Sequence, residues 1–227
     1  MTDARVSGSF STKRMVPMKH HSSGNFEYGA VETDYLRSRD PLLGAVIDRI
    51  GRIEREVTPD LFTALVRSIV AQQISNAAAA TVWRRLQAMP GDFTPLSIAR
   101  KSLPDLQVCG LSQRKAAWIQ RLGHEVASGA LDLPALHTLP DAVVIETLSA
   151  LPGVGVWTAE MLLIFALGRP NVVSWGDQAI RRGMKRLYSL DALSKAQFMS
   201  YRERYAPYGT VASFYLWALA SESAEAL

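Results

Sequence analysis

The 227-residue chain is 48% apolar, 20% charged and 8% aromatic, a balance that excludes disorder and collagen-like repeats and can fill one large domain or two closely joined lobes. With 25 basic against 21 acidic residues, the net charge of +4 does not itself require a polyanionic partner, so the placement of the cations carries more than their number. A single cysteine, Cys109, rules out an intramolecular disulfide, a four-thiolate zinc site and an iron–sulfur cluster, and suits a reducing compartment. No stretch reaches the roughly 18 apolar residues of a membrane span. The N-terminus lacks the apolar core and cleavage site of a secretory signal, so a cytoplasmic protein is expected.

Residues 1–24 are rich in Ser, Gly and Thr without a period, which predicts a mobile tail or a strap. Residues 25–227 are expected to form a helical core of two lobes. Asp40 caps and Pro41 opens a helix on which Leu42, Leu43, Val46, Ile47, Ile50 and Ile53 recur every three or four positions. Thr58 and Pro59 repeat the device ahead of Leu61, Leu65, Val66, Ile69 and Val70. Ser75 then caps an alanine-rich helix over 76–89, and short helices are expected at 95–100 and 103–108. Ser112 starts a stronger one through Lys115, Trp118, Ile119, Leu122 and Val126, stopped by Gly129. Further helices are read at 141–148, around Met161, and over 177–188, 194–205 and 208–221. Only 172–175 looks strand-like, and it is too short for a sheet, so the fold class is all-α.

The most informative segment is Leu151-Pro152-Gly153-Val154-Gly155-Val156-Trp157-Thr158-Ala159-Glu160, placed between two helical runs. A tight Gly-x-Gly turn leaves the first N–H groups of the second helix unpaired and outward, where the positive end of the dipole suits a phosphate. A side chain at Gly153 or Gly155 would meet positive φ or hold a phosphodiester away. A bare Gly-x-Gly is also an ordinary turn between packed helices.

This hairpin resembles that of the helix-hairpin-helix DNA glycosylase superfamily, and the chain is most similar to its 3-methyladenine glycosylase II branch. Further stretches carry the likeness: Ala71-Gln72-Gln73-Ile74-Ser75, Gly110-Leu111-Ser112-Gln113-Arg114-Lys115-Ala116, Gly176-Asp177 and Phe214-Tyr215-Leu216-Trp217. Longer members of the branch carry an extra N-terminal domain, whereas about 40 residues precede the helical core here; a more open pocket and a broader range of alkylated bases are expected.

Asp177 alone reads as a helix N-cap, but the resemblance gives it the catalytic role. A carboxylate held ionised by helix donors stabilises an oxocarbenium-like sugar and can orient or deprotonate water. No second acid is evident beside the motif. An N-alkylated purine is already cationic and leaves as a neutral molecule, so an aromatic pocket is expected. Trp217, Trp157 and Tyr215 are candidates to stack on the base, a cation–π contribution of about 0.5–2 kcal/mol; the resemblance places Trp217 and Trp157 at pocket positions, although tryptophan on a helix is more often a core residue. Met161 stands where some members carry an aromatic side chain. Bifunctional relatives place a Schiff-base lysine at the Trp157 position, and tryptophan cannot act so. The resemblance therefore implies a monofunctional enzyme that leaves an abasic site.

It also implies a wedge, Gln73 with Gln72, to fill the gap left by the flipped base. The DNA backbone is expected at Gly153, Val154, Gly155, Val156 and Thr158 and at the cations Arg114, Lys115, Arg181 and Arg182; Lys185 and Arg186 complete a cluster that otherwise reads as a solvated helix face. His124 and His137 have no partner at metal-ligand spacing and are read as structural. No cofactor is required and no side-chain metal site is expected, while the hairpin carbonyls suit a monovalent cation. The expected partner of this monomer is duplex DNA with an alkylated base. The alternatives are excision of an oxidised purine or uracil, and a non-catalytic hairpin DNA-binding module.

Overall fold

Residues 24–222 are described by the computed structural model, so the expected N-terminal tail or strap lies, apart from Gly24, outside the described residues. The described chain is all helical: α1 (Ala30–Arg39), α2 (Pro41–Ile50), α3 (Leu61–Ala71), α4 (Asn76–Gln87), α5 (Pro95–Ala99), α6 (Leu103–Val108), α7 (Gln113–Ala127), a 3₁₀ turn (Pro134–His137), α8 (Asp141–Ser149), α9 (Val156–Phe165), α10 (Gln178–Leu187), α11 (Lys195–Tyr205) and α12 (Gly209–Ser221). None of these helices is long and apolar enough to cross a membrane.

Most helix starts follow from local chemistry. The Asp40 carboxylate accepts from Leu43 N at 3.0 Å, Ser75 Oγ from Ala78 N at 3.2 Å and Ser112 Oγ from Lys115 N at 3.3 Å. Two expectations need correction. The cap of α3 is Asp60, whose Oδ1 accepts from Thr63 N at 2.7 Å, rather than Thr58, whose backbone N–H instead donates to Phe165 O at 2.7 Å. Ile53 lies beyond α2, which stops at Gly51 with φ +74°. Helix α1 has no counterpart in the sequence reading, because Leu36 is its sole fully buried residue.

The helices pack as two sets. In one, α1 and α2 return against α10, α11 and α12, burying Leu36, Leu43, Ile47, Phe198, Tyr205 and Phe214 completely. In the other, α3 packs on α4, α7 and α9, with α5 and α6 on α7 and α8 on α9. The closest crossing is that of α10 and α12: a Cβ on Gly183 would lie 1.9 Å from Leu216 O, so glycine is required by backbone contact. Between α9 and α10 the extended stretch 172–175 makes no sheet; Val172 is satisfied by side chains of α12, its N–H donating to Thr210 Oγ1 at 3.0 Å and its carbonyl accepting from Ser213 Oγ at 2.9 Å. This brings Asp177 to the open end of α9.

Candidate active site

The hairpin joins α8 to α9, with Leu151 N–H donating to Leu148 O at 3.1 Å and Val154 N–H to Leu151 O at 3.0 Å. Its two glycines serve different ends. Gly153 has φ +84°, and a Cβ there would lie 2.4 Å from the Trp118 ring. Gly155 has φ −93° and nothing within 4 Å of a built Cβ, so its outward face is open. No side chain caps α9, and Gly155 and Val156 are exposed. Its leading N–H groups and helix dipole therefore form an anion-attracting surface. Val154 and Thr158 bury their side chains, leaving the backbone to face a phosphate.

Asp177 caps α10 and is 7% exposed. Its two oxygens are divided: Oδ1 accepts from Ile180 N at 2.8 Å and Oδ2 from Trp157 Nε1 at 2.9 Å. Trp157, at 49% exposure on the first turn of α9, thus links the carboxylate to the phosphate-attracting helix end. The expectation of no second acid is overturned. Glu160, one turn further along α9, is half-buried and accepts a hydrogen bond from Ser174 Oγ, and Ser174 O accepts from Asp177 N at 3.3 Å. Burial pushes the Glu160 carboxyl above the usual carboxylate range; Ser174 and Arg202 oppose the shift and the Asp177 charge adds to it. The signal for Glu160 was its spacing of three from Trp157, which puts both on one helix face.

A cavity of about 400 Å³ opens beside Trp157. Trp157, Met161 and Phe165 form its α9 wall, and Ala64, Ser68 and Gln72 line the α3 side. Met161 is where the sequence reading placed it; Phe165 went unnoticed inside an apolar run. Trp217 is not a wall of this cavity. It is half-buried and stacked on Phe165 and Phe214, with centroids at 5.8 and 6.0 Å. Tyr215 is fully buried and its hydroxyl donates to Gly51 O at 2.9 Å, beside a separate cavity shared with Tyr28 and Arg52. Two residues apart on a helix, Tyr215 and Trp217 point in nearly opposite directions and cannot share one pocket.

Gln73 is exposed in the α3–α4 turn, in the left-handed region at φ +56°. Gln72 is not free to act as a wedge, because its Nε2 donates to Gly153 O at 2.5 Å and ties this turn to the hairpin. Lys115 is likewise tied into the protein: its Nζ donates to Val70 O at 2.8 Å and Gln72 O at 2.6 Å, and burial pulls its pKa below the ordinary lysine range, reinforced by Arg114. Arg114 is exposed and lies over Trp118 at 5.1 Å. In the cluster after Asp177, Arg181 stacks on Trp175 at 4.8 Å with its Nε buried, Lys185 donates to Asp191 O, and Arg186 closes the end of α12 through Leu219 O and Glu222 O. Arg182 remains exposed. His124 is exposed, and His137 lends its carbonyl to Arg169. Among the described residues no group of three or more His, Cys, Asp or Glu is placed to hold a metal ion.

A family model described as HhH-GPD superfamily base excision DNA repair protein matches residues 66–207. Over 161 residues the chain is 32% identical to DNA-3-methyladenine glycosylase 1 of Schizosaccharomyces pombe, covering 69% of this chain and 71% of that protein. It superposes on a DNA-3-methyladenine glycosidase from Bacillus halodurans with a TM-score of 0.80 at 36% identity, over 89% of this chain and 94% of that one. A Schizosaccharomyces pombe 3-methyladenine DNA glycosylase in complex with abasic DNA matches with a TM-score of 0.71 at 28% identity, covering 83% and 95% of the two chains.

Proposed function

The chain belongs to the HhH-GPD superfamily of base excision DNA repair proteins, and from that membership we propose that it is a monofunctional DNA glycosylase for alkylated bases. It holds duplex DNA by the hairpin, flips the damaged nucleotide into the Trp157 cavity and hydrolyses the N-glycosidic bond, leaving an abasic site. One observation carries the reading: Trp157 Nε1 donates to Asp177 Oδ2, so a half-exposed aromatic face, a capped carboxylate and an open helix N-terminus meet at one point. The phosphate at Gly155 and Val156 sets the register of the strand, and the base enters between Trp157, Met161 and Phe165. As the bond lengthens, Asp177 stabilises the cationic sugar and orients the attacking water. An N3- or N7-alkylated purine departs neutral, so the aromatic wall, rather than an acid on the base, supplies selectivity.

The names of the relatives, with abasic DNA in one of them, support this substrate class and product. Trp157 offers no amine for a Schiff base, which supports hydrolysis without strand cleavage. Gln73 enters the vacated stack, while Arg114 and Arg182 track phosphates as a monomer engages DNA. A monovalent cation on the hairpin carbonyls is part of the proposal; Gly153 O already takes Gln72 Nε2, so the cation would use the other carbonyls of the turn.

The test is a panel of duplexes, each with one lesion: 3-methyladenine, 7-methylguanine, 8-oxoguanine or uracil. Release of the alkylated bases, lost in Asp177→Asn without loss of fold, is expected. Base release unchanged in that variant, or a covalent product trapped by borohydride, would refute the reading.

A further inference from the structure

Ser174 is fully buried and joins the Glu160 side chain to the backbone of Asp177. Its hydroxyl donates to Glu160 and its carbonyl accepts the Asp177 amide at 3.3 Å. Trp157, three residues before Glu160 on α9, donates through Nε1 to Asp177 Oδ2 at 2.9 Å, so the same helix carries Glu160 and a direct partner of the Asp177 carboxylate. Burying a carboxyl beside another costs free energy that an amide or an apolar side chain at this place would not. Ser174 donates to Glu160, and the charges of Arg202 on α11 and Asp177 at the head of α10 act on it. Arg202 and Ser174 favour the ionised form, whereas burial and Asp177 oppose it, so Glu160 titrates above an ordinary carboxylate.

Building on the glycosylase reading, we propose that Glu160 is a second carboxylate of the active site, a positioning residue that holds the Asp177 turn through Ser174 and adds its charge to the field at the reacting sugar. No bond to Glu160 forms or breaks. When it is ionised, the negative potential around Asp177 deepens and favours the transition state, in which the positive charge has moved from the alkylated base to the sugar beside Asp177. When it is protonated, that contribution disappears while Ser174 keeps its partner. The rate of base release therefore has an acid limb that follows Glu160 and lies above the usual carboxylate range.

Single-turnover release of 7-methylguanine from a duplex, measured against pH for wild type, Glu160→Gln and Ser174→Ala with thermal melts of each, tests this. In the wild type the rate is expected to rise with pH along that limb to a plateau. Glu160→Gln should lose the limb and reach a plateau roughly tenfold lower, the scale of removing one unit charge from the surroundings of the reaction centre. Ser174→Ala removes the donor that favours the ionised form, so its limb should move to higher pH. A wild-type limb in Glu160→Gln, with or without a uniform loss of rate, overturns the inference and leaves the glycosylase reading standing. Absence of base release by the wild type overturns both. Should Glu160→Gln fail to fold, Ser174→Ala decides: an unmoved limb is a refutation.

Discussion

Replacing Gly153 and Gly155 separately by alanine tests how the hairpin is built. At Gly153 the backbone has φ +84°, which costs an L-residue about 1–2 kcal/mol. The new methyl would also lie 2.4, 2.7 and 3.0 Å from three atoms of the Trp118 ring. Relieving that overlap adds about 1–3 kcal/mol, because the indole is packed between the hairpin and Arg114 and must carry both along. Together these amount to about 2–5 kcal/mol, or roughly 5–15 °C in the melting temperature of a chain this size. At Gly155 the φ of −93° suits any residue and no atom lies within 4 Å, so Gly155→Ala should melt within about 1–2 °C of wild type. Its methyl projects where a phosphate oxygen would meet the first N–H groups of α9, so affinity for duplex DNA should fall roughly tenfold. The assays are scanning calorimetry and fluorescence anisotropy with a labelled duplex at fixed salt. A Gly153→Ala protein that melts with wild type would refute the Trp118 packing reasoning. A Gly155→Ala protein that binds DNA as wild type does would refute the phosphate site.

Further outcomes follow from the packing and the charges. Gly183→Ala should cost about 3 kcal/mol or more, since Leu216 O, 1.9 Å from the added Cβ, is backbone and cannot swing aside; a variant melting within a few degrees of wild type would contradict the crossing of α10 and α12. Arg182→Ala should lower the slope of log affinity against log salt by about 0.9, one phosphate contact, whereas Lys115→Met should leave the slope unchanged and cost about 1–3 kcal/mol of stability by stranding two carbonyls. Burial raises the Cys109 thiol above its ordinary pKa, so native protein at pH 8 should react with a disulfide reagent far more slowly than free cysteine. Because the unfolded chain ionises first, that thiol lowers stability as pH rises past the ordinary thiol range; Cys109→Ser should flatten that decline in pH-dependent melts.

Much of the molecule was legible residue by residue. Asp40, Ser75, Ser112 and Asp177 each cap the helix they announced, because a cap is closed within three residues and needs no distant partner. The hairpin was equally local, down to the glycine at φ +84°. Helix α1 escaped notice because it is polar nearly all round and is held by contacts with α2 and α11 rather than by its own pattern. Lys115 and Arg181 read as cations near a phosphate-binding turn, yet one is spent on the carbonyls of Val70 and Gln72 and the other on the face of Trp175.

The sequence by itself therefore determined the helical class, most helix starts, the phosphate-seeking turn and the aspartate at the head of α10, all properties of short segments. Tertiary structure alone decided that Tyr215 belongs to the interior and Trp217 stacks behind Phe165, which lines the cavity, and that Glu160 joins the Asp177 backbone through Ser174. Those outcomes depend on which face of each helix meets which neighbour, and that is set only when both sets of helices close around α9.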